Sequence, residues 1–147
     1  MLYKIIDFAS FDPYTLYSLL QLRSEIFVVE QDCVYQDLDN IDLDSKHLLV
    51  FDDDTLVASC RLIRSNVEFS EASIGRVVVK KEYRGRFLGL DMVKKAIDYM
   101  FNEMNENVIK IEAQSYAIPF YEKCGFTNLG DEHILDGIKH VWMNIKR

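Results

Sequence analysis

Apolar and polar positions alternate through LYKIIDF (2–8), and that period predicts a strand. Asp12 and Pro13 follow as an N-cap and a proline at the first helical position, where a missing N–H costs nothing. Leu16, Leu19, Leu20, Ile26 and Phe27 then recur at helical spacing, which predicts a helix running to about Glu30. Residues 31–46 show no period and are rich in aspartate. They read as a long ordered loop or a short helix, and loops of that length often carry function. The run HLLVFDDDTLVASCRLIRS predicts two strands around a turn at Asp53-Asp54, and 72–79 predicts a third. From 88 to 104 the apolar residues Leu88, Met92, Val93, Ala96, Ile97, Met100, Phe101 and Met104 form one stripe, with Asp91, Lys94, Lys95 and Asp98 opposite. Such a helix packs on a sheet. NVIKIEAQ (107–114) predicts a buried strand, and IPFYEKC a short helix opened by Pro119 and stopped by Gly125. FTNLG and KHVWMNI predict the last two strands. The order is β-α-loop-β-β-β-α-β-α-β-β, without repeat or linker. It predicts one domain over residues 1–147, a single mixed α/β sheet with helices on its faces.

Composition permits that core: 49% of residues are hydrophobic and 12% aromatic. No run approaches the roughly 20 apolar residues of a membrane span. The N-terminal MLYKIIDFAS alternates and contains Asp7, unlike a signal peptide, so no membrane role is expected. Cys33, Cys60 and Cys124 are far apart and show no zinc spacing, which predicts a reduced, cytoplasmic protein with unpaired thiols. The net charge is −7, and residues 31–60 carry eight aspartates against Lys46 alone, a local balance of −7. Residues 76–95 carry seven basic residues against Glu82 and Asp91, a balance of +5. One reading is two solvated loops; the sharper one is an anion site beside a region that favours cations. The overall acidity argues against nucleic acid as a partner. The D-x-D-x-DG pattern of a calcium loop is absent, and no metal site is expected.

The basic segment centres on RGRFLGLDMVKKA (84–96), where a strand gives way to a helix. A helix N-terminus presents unpaired N–H groups and a partial positive charge. Glycines ahead of it let several amides point inward together, a nest suited to phosphate or pyrophosphate, and arginines add charge and bidentate donors. The Walker pattern and the Rossmann G-x-G-x-x-G are both absent here. On the loop alone, a tight turn with solvated arginines is an equal reading.

The succession strand, R-G-x-x-x-G, amphipathic helix, strand and FYEKCGF resembles the GNAT N-acetyltransferase superfamily. LRSEIFVVEQDCVYQDLDNIDLDSKHLLV, IGRVVVKKEYRGRFLG, EAQSYAIPFYEKCGF and DGIKHVWM are similar to its ElaA-like branch and together cover most of the chain. The resemblance implies a single-domain GNAT-like fold, a mixed, mostly antiparallel α/β sheet with helices on both faces. It implies that Arg84, Gly85, Arg86, Phe87, Leu88 and Gly89 bind the pyrophosphate of acetyl-CoA, the co-substrate. The superfamily loop reads Q/R-x-x-G-x-G/A. Phe87 stands where the middle glycine is usual, so its side chain must point away for the nest to survive. Val77, Val78 and Val79 would offer backbone groups to the pantetheine arm, in a V-shaped gap between 75–79 and 108–114. An N–H near Val77 would stabilise the thioester oxyanion, a contribution of about 3 kcal/mol for one such donor.

Acetyl transfer needs a neutral amine, donors for the oxyanion and a proton for the departing thiolate. The resemblance gives Tyr121 as general acid, with Tyr116 a weaker candidate. Glu112 and Glu30 are candidate bases, and His47 and His140 are further candidates because imidazole is the side chain whose ordinary pKa lies nearest neutrality. Gln31, Asp39, Asp42 and His47 are expected at the acceptor pocket, the aspartates holding an ammonium group. The expected partner is a small-molecule or peptide amine, and the edge of the terminal strands is free to pair in a homodimer. Two alternatives remain. Arg23, Phe27 and the Asp39/Asp42 pair before His47 also resemble acyl-homoserine-lactone synthases, which implies a longer acyl donor. The other is a non-catalytic CoA-binding or protein-interaction module.

Overall fold

The computed structural model describes residues 1–147. Its elements are β1 (Leu2–Asp7), α1 (Pro13–Arg23), β2 (Lys46–Asp52), β3 (Thr55–Ile63), β4 (Ser73–Val79), α2 (Leu88–Asn102), β5 (Val108–Gln114), α3 (Ile118–Cys124), β6 (Thr127–Asn128), β7 (His133–Leu135) and β8 (Ile138–Lys146). The expected single sheet is in fact two. Strands β1 to β4 pair antiparallel in chain order, while β8 pairs with β5 on one side and with β6 and β7 on the other. The sheets touch at one parallel bridge, Ala72 to Ile109, where Lys110 N donates to Ala72 O at 2.8 Å. Beyond that point β4 and β5 run on unpaired and part.

The parting has a local cause. From Ser59 to Arg61 strand β3 advances two residues, while its partner β4 advances three, from Val78 back to Gly75. The extra residue is accommodated at Arg76, which is left-handed with φ 49°. A bulge of this kind bends its strand and sharpens the local twist, so β4 swings away from β5.

Helices cover both faces of the first sheet. Leu48 and Val50 of β2 face α2, against Met92, Val93, Ala96 and Met100. Leu49 between them faces α1, against Leu19, Leu22 and Ile26. With a helix on each side, the middle strands are buried on both faces rather than alternating. Asp12 caps α1 as expected, accepting from Thr15 N at 2.9 Å. The predicted helix to Glu30 changes form at Ser24: residues Ser24–Glu30 are π-helical. Such widened turns are frequent at functional sites. Within the aspartate-rich segment, Ile41–Asp44 forms one 3₁₀ turn. Strand β7 is an addition to the expected order.

Candidate active site

Between the parted strands lies a cavity of about 780 Å³. It opens past the carboxyl ends of β4 and β5, where open α/β sheets commonly bind ligands. Its walls are the π-helical turns with Phe27, Glu30 and Gln31, strand β4, the 83–90 loop, strand β5 and the segment leading into α3.

At the loop end several backbone amides are left without partners. The first bond of α2 is Asp91 N to Phe87 O at 3.0 Å, so the amides before it have no helical acceptor, and no side chain caps them. Gly85 is left-handed with φ 77°. Gly89 packs tightly: a Cβ there would sit 3.3 Å from Val79 Cγ2 and 3.5 Å from Phe120. Glycine here lets the first turn of α2 lie against β4 without displacing the Val79 side chain. Phe87 adopts φ 61°, ψ 11°, and its ring is 75% exposed. The backbone thus keeps the turn that a glycine would make, with the side chain turned out to solvent. Phe87→Gly therefore relieves a left-handed strain of about 1–2 kcal/mol, partly offset by glycine's freedom in the unfolded chain. A small rise in the urea midpoint is expected, and a clear fall would show that the ring makes a contact that matters.

Arg84 does not reach into the nest. Its Nε donates to Val79 O at 2.9 Å and its Nη2 to Glu30 at 2.6 Å. This bridge ties the π-helical turns to the loop across one mouth of the cavity. Arg86 stacks on Tyr83, 5.3 Å from the ring centroid. Val77 and Val79 pack toward α2, and Val78 packs toward α1. All three line the cavity, with Val77 directly after the bulge residue.

At the other side stands Tyr121, its ring edge-on to Phe120 and Phe126 at 5.0 and 5.8 Å. Burial pushes its phenol well above the ordinary value, so it stays protonated throughout the physiological range. Tyr116 is 75% exposed and also borders the cavity. Glu112 of β5 faces the cavity and accepts from His133 Nε2 at 2.5 Å. His133 in turn stacks on Trp142, with ring centroids 5.5 Å apart. His140 donates from Nδ1 to Ile138 O at 2.8 Å. Burial pushes the Cys124 thiol up to about 11 and raises that of Cys60 as well, so neither is an available thiolate nucleophile.

Asp39, Asp42 and His47 are placed elsewhere, outside the cavity wall. Asp42 binds Arg23 at 2.7 Å and Arg61 at 3.2 Å; Asp39 binds Arg61 at 2.8 Å and Arg76 at 3.3 Å. Asp37 adds ion pairs with Arg23 at 3.0 Å and Arg76 at 2.8 Å. Three arginines meet three aspartates, and the cluster neutralises itself. The ammonium-holding role expected of Asp39 and Asp42 is therefore already taken by guanidinium groups. His47 is buried beside Phe11, 5.4 Å between centroids, and its Nε2 lies 3.3 Å from Asp42 O. Burial lowers its pKa, so the imidazole is neutral at pH 7.

Four contributors escaped the sequence reading. Arg61 interrupts an apolar strand, and a charge there signals buried partners. Arg76 has no local signal, since the bulge that aims it is a pairing property. His133 belongs to the β7–β8 hairpin, turned at Asp136 and Gly137 with φ 51° and 75°. That Asp-Gly dipeptide between short apolar runs is a hairpin signal that was available. Glu68, on the cavity wall from the β3–β4 connection, has none.

The fold and this site together define the class: an acyltransferase that draws its acyl group from coenzyme A. The chain belongs to the GNAT acetyltransferase family, whose acetyltransferase (GNAT) domain profile matches residues 18–147. It is 37% identical over 130 residues to protein ElaA of Escherichia coli K12, covering 87% of this chain and 85% of that one. The crystal structure of Escherichia coli ElaA superposes with a TM-score of 0.89 at 33% identity, covering 98% and 99% of the two chains. An acyl-CoA N-acyltransferase structure from Pseudomonas aeruginosa superposes with a TM-score of 0.90 at 32% identity, with the same coverage. The CoA-dependent acyl-homoserine lactone synthase BjaI, solved with SAM and isopentyl-CoA, shares the fold alone. Its TM-score is 0.79 at 17% identity, covering 99% of this chain and 82% of that one.

Proposed function

We propose that this chain is an acetyl-CoA-dependent N-acetyltransferase that moves the acetyl group directly to a primary amine of a small molecule or peptide. The observation that carries the reading is a continuous cavity running from the uncapped amides of the 84–89 loop, along the bulged strand β4, to Tyr121. On this reading the loop amides take the pyrophosphate, and Arg84 leaves Glu30 to add its charge. The backbone of Val77 to Val79 aligns the pantetheine arm. An amide at the bulge meets the oxyanion, and Tyr121 protonates the departing thiolate. Gln31 and Glu112 border the acceptor's approach. Holding donor and acceptor together supplies much of the rate, with no acyl-enzyme required.

Acetyl-CoA at about 100 times its dissociation constant adds about 2.7 kcal/mol to stability, a rise in Tm of roughly 5–10 °C for a domain of this size. Arg84→Ala reduces that rise, because it removes a charge beside the pyrophosphate. Differential scanning fluorimetry measures both, and no shift at millimolar acetyl-CoA sinks the reading. The fold shared with BjaI favours one second reading, a longer acyl donor. A thiol-release assay run in parallel with acetyl-CoA and longer acyl-CoA donors separates the two. Binding of CoA without thiol release from any donor marks a non-catalytic module instead.

A further inference from the structure

Three glutamates line the cavity: Glu30, Glu68 and Glu112. Two are already engaged, Glu30 by Arg84 at 2.6 Å and Glu112 by His133 at 2.5 Å. Glu68 is different. Its nearest cation, Arg61 Nη2, lies 3.6 Å from Oε2, beyond hydrogen-bond distance. Arg61 itself is 2% exposed and spends Nη1 on Asp39 and Asp42 and Nη2 on Asp39. Its Nε is buried with no partner at all. The guanidinium lies over Gly75 of β4, where a Cβ would stand 3.8 Å from both Nε and Nη2, and both residues are part of the cavity wall. Glu68, ion-paired with Arg61 only at 3.6 Å and accepting no hydrogen bond, thus stands on the cavity wall beside a guanidinium whose Nε has no partner. The other aspartates near Arg61 are consumed within the self-neutralising cluster, so Glu68 carries a surplus negative charge here.

We infer that Glu68, held from one side by its ion pair with Arg61 Nη2, binds the ammonium group of a cationic primary-amine acceptor and takes its first proton. The inference rests on the N-acetyltransferase reading and names the base and the charge of the acceptor. In the step, R–NH₃⁺ gives one proton to the Glu68 carboxylate. The freed lone pair forms the C–N bond at the thioester carbonyl, and the C–S bond then breaks. The thiolate takes its proton from Tyr121, which recovers one from the acylated nitrogen. Glu68 releases its proton to solvent. Burial raises the Glu68 pKa, opposed by Arg61 of β3 and Arg76 of β4 and reinforced by Asp39 and by Glu112 of β5. A carboxylate lifted toward neutrality is a better proton acceptor than an ordinary one.

The test is Glu68→Gln, which keeps the side chain's size and its acceptor oxygen for Arg61. Both proteins are assayed with acetyl-CoA and a fixed panel: cadaverine, an α-amino amide and a lysine peptide. Loss of an effective base costs at least about 100-fold in kcat/KM for the amine. The acid limb of the wild-type pH profile should move to higher pH in the variant, whose activity climbs only as the amine itself deprotonates. The Tm shift with acetyl-CoA should be unchanged. A variant with wild-type kcat/KM and pH profile overturns the inference and makes Glu68 a mere neighbour of Arg61. So does a wild-type protein that binds acetyl-CoA yet acetylates nothing in the panel. A wild-type protein that does not bind acetyl-CoA brings down the N-acetyltransferase reading instead.

Discussion

Tyr121→Phe lowers kcat by roughly 10²–10⁴-fold while leaving the acetyl-CoA-induced Tm shift intact. The substitution removes one oxygen and keeps the ring. Its edge-on contacts with Phe120 and Phe126 therefore survive. What disappears is a phenol hydroxyl that burial keeps protonated well above neutral pH, the proton donor of the proposed reaction. Without it the thiolate must leave uncapped or wait for water. Single-turnover thiol release separates this from an effect on binding. A turnover number within threefold of wild type would remove Tyr121 from the chemistry and leave it a core residue.

The largest stability effect is expected at Arg23, 1% exposed and bonded to Asp37 and Asp42. Arg23→Met keeps the volume but strands buried carboxylates, and breaking a buried pair from one side costs about 3–5 kcal/mol. Against a typical total of about 5–15 kcal/mol, that leaves a protein near its unfolding threshold. Urea melts of the two proteins measure it, and a loss under 1 kcal/mol would show that water reaches the cluster. The same cluster sets the acid response. At Asp42, burial alone raises the carboxyl, and hydrogen bonds and charge from Arg23 and Arg61 outweigh it. At Asp39 burial is likewise outweighed, by Arg61 and Arg76, and both end below the ordinary value. A carboxyl lowered on folding stabilises fully above its unfolded pKa of about 3.9 and loses that stability as pH falls through its folded one. His47 acts earlier. Its folded pKa is lowered by burial, so the unfolded chain takes up the proton first and stability begins to fall below about pH 6.5. Stability should therefore decline in two stages, one starting near pH 6.5 and one below about pH 4. A His47→Gln variant should lose the first stage only.

The fold was legible where one short segment carried its own instruction. The α2 stripe was read correctly because all eight named residues pack on one core, six of them buried: Leu88, Met92, Val93, Ala96, Ile97 and Met100. The Asp53-Asp54 turn fell where expected, between β2 and β3. The 84–89 loop could be read as a helix-starting turn because glycine spacing constrains the backbone locally. The reading of a single sheet failed at β4, since a bulge depends on which residues pair across to β3. The reading of Asp39 and Asp42 as ammonium ligands failed for a related reason. Charge balance along the chain counted Arg23, Arg61 and Arg76 as distant, whereas folding sets them against the aspartates.

Sequence by itself thus determined most of the elements and their order, β7 apart, together with the family and the loop that starts α2. Those depend on side-chain period and backbone permissiveness within a few residues. Only the tertiary structure decided where the sheets part, which carboxylates are spent and which, at Glu68, is left over. Charges pair through space, and a chain shows its acids and bases in order without showing which of them meet.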